Sequence, residues 1–213
     1  MRGLKTMFLI LAMLFAPDAV FAYSPKEGNV SATLGWLLHR TNFQNSGTGA
    51  SAPFQGDFAL IVNGDITDRG QLEIGMYHLN KQYFRDQGSV YVGEETELIE
   101  ITLGYRQWFT PSLSLGVSFS SAYSMGYPRI IHNDFAPSPP IDTSATDTTE
   151  YGFHFSLQSD VYTRDRLTLT LTGLYSLSVT GKPNEKADHY GAMIGLRYFI
   201  QEKMVVPKPK DAI

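Results

Sequence analysis

The chain contains no cysteine. That excludes disulfides, thiolate metal ligands, thiol nucleophiles and lipid attachment through a thiol, so stability has to come from hydrogen bonding and packing. Long apolar runs are also missing. The longest, over residues 7–16, falls short of the roughly 20 residues that a membrane-spanning helix needs. Positive charge is in deficit, with 17 Lys and Arg against 21 Asp and Glu and a net charge of −4, which argues against nucleic acid as a partner.

The short apolar run follows Arg2 and Lys5 and ends at Pro17, before Val20-Phe21-Ala22. This pattern predicts a secretory signal peptide over residues 1–22. Without Arg2, Lys5 and Asp18 the mature chain from Tyr23 has 15 basic and 20 acidic residues, net −5. A hydrophobic content of 43% is unremarkable, as expected of a barrel that shows lipid only half of its strand residues.

What the chain has in abundance is alternation. Leu113, Leu115, Val117, Phe119 and Tyr123 alternate with Ser114, Gly116, Ser118, Ser120 and Ala122; Leu167, Leu169, Leu171, Tyr175, Leu177 and Val179 alternate with Thr168, Thr170, Thr172, Ser176 and Ser178. Strands with one apolar face and one small, polar face suit lipid outside and a packed polar lumen inside. About eight such segments are predicted: 29–40, 56–63, 71–84, 98–109, 113–125, 150–162, 166–179 and 189–200. The third loses its phase near Tyr77-His78-Leu79, where a bulge is expected. In the fourth, Glu100, Thr102, Gly104, Arg106 and Trp108 point inward; in the sixth, Gly152, His154, Ser156, Gln158 and Asp160 do, with Val161 outward.

The connections alternate as well. Those at 41–55, 86–97, 126–149 and 180–188 are long and polar, and those at 64–70, 110–112 and 163–165 are tight. Long extracellular loops and short periplasmic turns follow this rule, and an even strand count then leaves both termini periplasmic. Aromatics fall in bands, Trp36, Tyr123, Tyr151 and Tyr190 toward the outer ends and Phe109 and Tyr198 toward the inner ends. The fold class expected is therefore all-β, a closed antiparallel up-and-down transmembrane barrel over residues 23–200.

The last segment, Tyr190-Gly-Ala-Met-Ile-Gly-Leu-Arg-Tyr-Phe-Ile200, resembles the closing strand of small bacterial outer-membrane barrels of the OmpA/OmpX/OmpW-like type. The resemblance implies a Gram-negative outer-membrane location and recognition of the terminal aromatic by the barrel assembly machinery. The chain departs from that pattern by continuing through 201–213, where Lys203, Pro207, Lys208, Pro209 and Lys210 predict a disordered periplasmic tail.

Charges turned into a narrow lumen must pair. Glu73, Glu100, Arg106, His154, Asp160 and Arg197 are expected to form a network that plugs the barrel, since eight strands leave a bore that side chains can fill. His154-Phe155-Ser156 is similar to the His-x-Ser pair of PagL-type lipid A deacylases, which implies a serine activated by histidine. Leu157 stands where that family has Asn, the seventh segment offers no Glu to orient the histidine, and the phase turns both residues away from lipid. Glu94, Glu95 and Glu97 read as a solvated acidic loop, with divalent cations bridging to lipopolysaccharide phosphates as the alternative. In the longest connection, Ile130, Ile131, His132, Asp134 and Phe135 are the residues expected to meet a partner; His132 and Asp134 alone do not make a metal site.

The functional expectation is a structural or surface-interaction protein, with no enzyme activity, cofactor or metal. Its partners would be outer-membrane lipids, lipopolysaccharide, the assembly machinery and an extracellular ligand at the loops. The alternatives are OmpW-like transport of small solutes or hydrophobic compounds, lipid A deacylation by His154 and Ser156, and a soluble periplasmic barrel with its apolar face inward.

Overall fold

A computed structural model describes residues 26–45, 50–135 and 149–201. The expected signal peptide, residues 136–148 of the longest connection and the tail from 202 lie outside them. In chain order the strands are β1 (Val30–Thr41), β2 (Gln44–Asn45), β3 (Ala50–Ser51), β4 (Gln55–Asp65), β5 (Gly70–Gln87), β6 (Val90–Thr110), β7 (Leu113–Ser124), β8 (Arg129–Asn133), β9 (Glu150–Arg164), β10 (Leu167–Ser178), β11 (Glu185–Lys186) and β12 (His189–Gln201). The described residues contain no helix.

Eight of these strands form the wall of a closed barrel. β1, β4, β5, β6, β7, β9, β10 and β12 pair antiparallel in that order, and β12 pairs back onto β1. One circuit across the ladders from Val30 passes Gly64, Leu72, Tyr105, Val117, Phe155, Tyr175 and Tyr190 and returns to β1 at Arg40. That stagger of ten residues corresponds to a strand tilt of about 40° and a bore just wide enough for side chains.

Closure satisfies the backbone, and alternation then decides the two surfaces. Leu34, Phe58, Ile74, Leu103, Phe119, Phe153, Leu171 and Ile194, one from each wall strand, are exposed on the outside, Leu103 by 60%. An apolar wall continuous around the whole molecule is the lipid-facing surface of an outer-membrane barrel. Ser, Thr and charged residues occupy the inside, so the alternative of a soluble barrel with an apolar interior is excluded.

Four expectations are corrected. β5 has no bulge at 77–79, and its register with β4 and β6 is unbroken. The alternation fails there in hydrophobicity, because Tyr77 and Leu79 face inward and join Leu37, Leu98, Leu174 and Met193 in an apolar belt inside the lumen. Residues 86–97 are not a long loop. The β5–β6 ladder runs out to Gln87↔Val90 and closes on a two-residue turn in which Gly88 adopts φ +66°, a conformation easy only for glycine. In β9 the register with β10 shifts, pairing Leu169 with Tyr162 and Thr170 with Asp160; Val161 is bulged out and Tyr162 takes the outward place. Finally, the other long connections carry strands of their own. β2 and β3 form a hairpin, β8 adds to β6, and β11 adds to β5, so the extended β5–β6 hairpin is the stem of a cap over one end of the barrel.

Candidate functional site: buried ion pairs beneath a folded cap

The lumen holds ion pairs stacked along its length. Nearest the short turns, Arg197 of β12 pairs with Asp160 of β9. The Gln158 side chain donates to the same carboxylate at 3.3 Å, and the guanidinium lies 5.5 Å from the Trp108 ring centre and 5.4 Å from that of Phe199. Above this, Arg106 of β6 donates from Nε to Glu73 of β5 at 2.7 Å, from Nη1 to Ser114 at 3.2 Å and from Nη2 to Ser156 at 2.8 Å. Asn63 donates to Glu73 at 3.1 Å. Gly116 makes the space for this guanidinium, since a Cβ there would stand 2.9 Å from Arg106 Nη2.

A histidine layer follows. His154 Nε2 lies 3.1 Å from Glu100 Oε1, with His189 between His154 and His39 at ring-centre distances of 5.8 and 5.4 Å. His39 Nε2 meets Asp57 at 2.7 Å, and the same carboxylate accepts from the Asn80 backbone at 2.8 Å and its amide at 2.7 Å. Higher still, Lys81 of β5 pairs with Glu150 of β9, and Tyr83 donates its hydroxyl to Glu150 at 2.6 Å. At the top Arg85 sits 3.0 Å from Glu185 and 3.7 Å from Glu94.

The cap has its own small core. Phe43 stacks on Phe84 with centres 4.2 Å apart and planes 1° from parallel, and Ala52 and Tyr91 complete the cluster. Lys186 lies 5.4 Å from the Phe43 ring centre and 2.6 Å from Asp86, tying β11 to the hairpin. On the β8 side, Arg129 pairs with Glu95 at 2.6 Å.

Each residue singled out in the sequence can now be placed. Glu73, Glu100, Arg106, His154, Asp160 and Arg197 are all buried in the lumen. Ser156 Oγ accepts from Arg106 while His154 is directed at Glu100, so the two are not joined as nucleophile and base. Glu94, Glu95 and Glu97 belong to strand β6, not to a loop, because the hairpin continues past them. Glu94 is buried beside Arg85, whereas Glu95 faces the other way toward Arg129, so they form no common cation site. Ile130 and Ile131 are exposed on β8. His132 stacks on Tyr91 at 4.1 Å and pairs with Asp134 at 2.7 Å, and the Phe135 N–H donates to Asn133 at 2.9 Å.

The alternation of the first strand puts His39 on the inward face, as found, whereas Asp57, Lys81, Glu150 and His189 were not recognised as lumen residues from the sequence. Parity was the available signal for Lys81, which stands an even number of residues from inward Glu73; His189 sits at the first residue of its strand, where phase is hardest to read.

No protein-family model matches the chain, and no curated protein matches it significantly. Several solved structures are similar. Ail of Yersinia pestis, in complex with the heparin analogue sucrose octasulfate, matches with a TM-score of 0.46 at 10% identity, covering 81% of this chain and 99% of Ail. The outer membrane protein OprG from Pseudomonas aeruginosa matches with a TM-score of 0.47 at 10% identity over 84% of this chain and 100% of its own. The outer membrane protein AlkL, determined in lipid bilayers, gives 0.40 at 11% identity over 89% and 97%. Likeness at this level does not reach the lumen residues or the function.

Proposed function

We propose that this protein is a plugged outer-membrane scaffold whose task is to hold a folded extracellular cap at the cell surface, where β8, with exposed Ile130 and Ile131, meets a partner. The observation that carries this reading is the set of buried lumen ion pairs: Arg197–Asp160 and Lys81–Glu150 tie the non-neighbouring strands β12 to β9 and β5 to β9, and Arg106–Glu73, on the adjacent strands β6 and β5, fills the depth between them. Removing one partner of such a pair strands a buried charge, so the plug resists opening. The turns β4–β5, β6–β7 and β9–β10 lie on the same end as Val30 and Gln201, opposite the cap, which supports periplasmic termini and assembly from the periplasm by the barrel assembly machinery. Outer-membrane lipids and lipopolysaccharide then surround the wall.

The test is electrical. Purified protein reconstituted in a planar lipid bilayer should give no steady conductance above the lipid baseline. Reproducible single-channel steps would overturn the plug and favour the transport alternative. The enzymatic alternative is tested by the mass of lipid A from cells expressing the protein, which should match that of cells lacking it; loss of an acyl chain, abolished by His154→Ala, would overturn a non-enzymatic role.

A further inference from the structure

We propose that Glu100, His154 and His189 bind one divalent transition-metal ion in the middle of the lumen. The three residues come from β6, β9 and β12, strands that are not neighbours in the wall. Closure of the barrel brings one donor atom of each to within 4.8 Å of the others. All three are buried, His189 completely.

Two further observations point to a missing partner. Neither ring nitrogen of His189 has a hydrogen-bond partner, and Oε2 of Glu100 has none either. Buried polar groups are nearly always satisfied, and an exception calls for an unseen ligand or a role. Charge gives the second. Glu73, Asp160 and Glu150 each face an Arg or Lys, whereas Glu100 faces imidazole. Lys81, the nearest cation above, is taken by Glu150. A buried carboxylate without a fixed counter-charge is stabilised by a cation bound among neutral imidazoles.

The donor set selects the ion. One carboxylate is too few oxygens for calcium or magnesium, and a chain without cysteine offers no thiolate. Two imidazoles and one carboxylate suit zinc and its neighbours, leaving a fourth position for water. Tetrahedral zinc at about 2.0–2.1 Å from each ligand needs donors roughly 3.3 Å apart, so the ion would draw the three groups inward. Packing fixes the layer: the Tyr77 ring meets His154 edge-on at 5.2 Å, His39 packs against His189, and Leu79, Leu98 and Leu174 belong to the apolar cluster inside the lumen.

The test is to refold the full chain in detergent with zinc chloride, desalt it, and measure metal by mass spectrometry. About one zinc per chain is expected for the wild type and for His132→Ala, which removes a histidine of the cap. Less than about a tenth is expected for Glu100→Gln and for His189→Gln, each checked for folding by its heat-dependent gel mobility. A folded wild type that retains no zinc would overturn the site, as would full retention in His154→Ala/His189→Ala. X-ray absorption of the zinc-loaded wild type needs no variant: scattering from two imidazoles supports the proposal, and from fewer than two refutes it.

Discussion

Replacing Arg106 by methionine removes the most connected cation of the lumen while keeping much of its volume. The guanidinium makes three charge-assisted bonds, to Glu73, Ser114 and Ser156, and its residue is 2% exposed. Without it, Glu73 keeps only Asn63 and remains a carboxylate with no counter-charge in a medium that solvates it poorly. Breaking one side of a buried pair costs about 3–5 kcal/mol, whereas replacing both partners by neutral groups is often nearly neutral. Arg106→Met should therefore lower stability by about 3–5 kcal/mol, and Arg106→Met/Glu73→Gln should recover most of that loss. Equilibrium urea unfolding in phospholipid vesicles measures it, followed by the fluorescence of Trp36 at the lipid face and Trp108 in the lumen. The midpoint should move with little change in slope, and added salt should matter little, because a buried pair is poorly screened. The reasoning fails if Arg106→Met unfolds within about 1 kcal/mol of the wild type, or if the double variant loses the sum of the two single losses.

Two further outcomes follow from the wall and the cap. Leu103→Arg, midway along the lipid-facing side of β6, should cost about 2–4 kcal/mol of folding stability in vesicles, while Tyr123→Arg at the outer aromatic band should cost about 0–1 kcal/mol; equal costs would refute the assigned depth. Phe43→Ala removes the ring stacked on Phe84 and should speed protease cleavage of the β1–β4 connection by about tenfold or more, leaving the barrel's heat-dependent mobility intact. Unchanged cleavage would mean that the aromatic cluster does not hold the cap.

The wall was legible because lipid and lumen impose opposite demands on successive residues, and nowhere more cleanly than in Leu113–Ser124 and Leu167–Ser178. The cap was not, for a reason visible in β5. From Lys81 to Arg85 every residue is buried, the lumen on one side and the folded connections on the other, so both faces mix polar and apolar residues and no period remains. Tyr77 and Leu79 misled in the same manner, as apolar residues turned into the lumen. The ion pairs were half legible: phase identified Glu73, Arg106 and Arg197 as inward-facing, but phase within a strand says nothing of which strand lies opposite. Glu100 and His189 meet only because eight strands close with a stagger of ten residues.

The seam between β1 and β12 joins the two ends of the barrel sequence, aligning Gly35 with Gly195 and seating Met193 against Gly35. All the other wall ladders connect consecutive wall strands and can form as hairpins. The seam cannot form until seven of them exist, so its loop-closure entropy falls on the final step. Until then the chain is a sheet with two unpaired edges and one apolar face, a species that in water pairs with its own kind. Lipid that covers the apolar face, and the seam that joins the two edges, remove both liabilities at once.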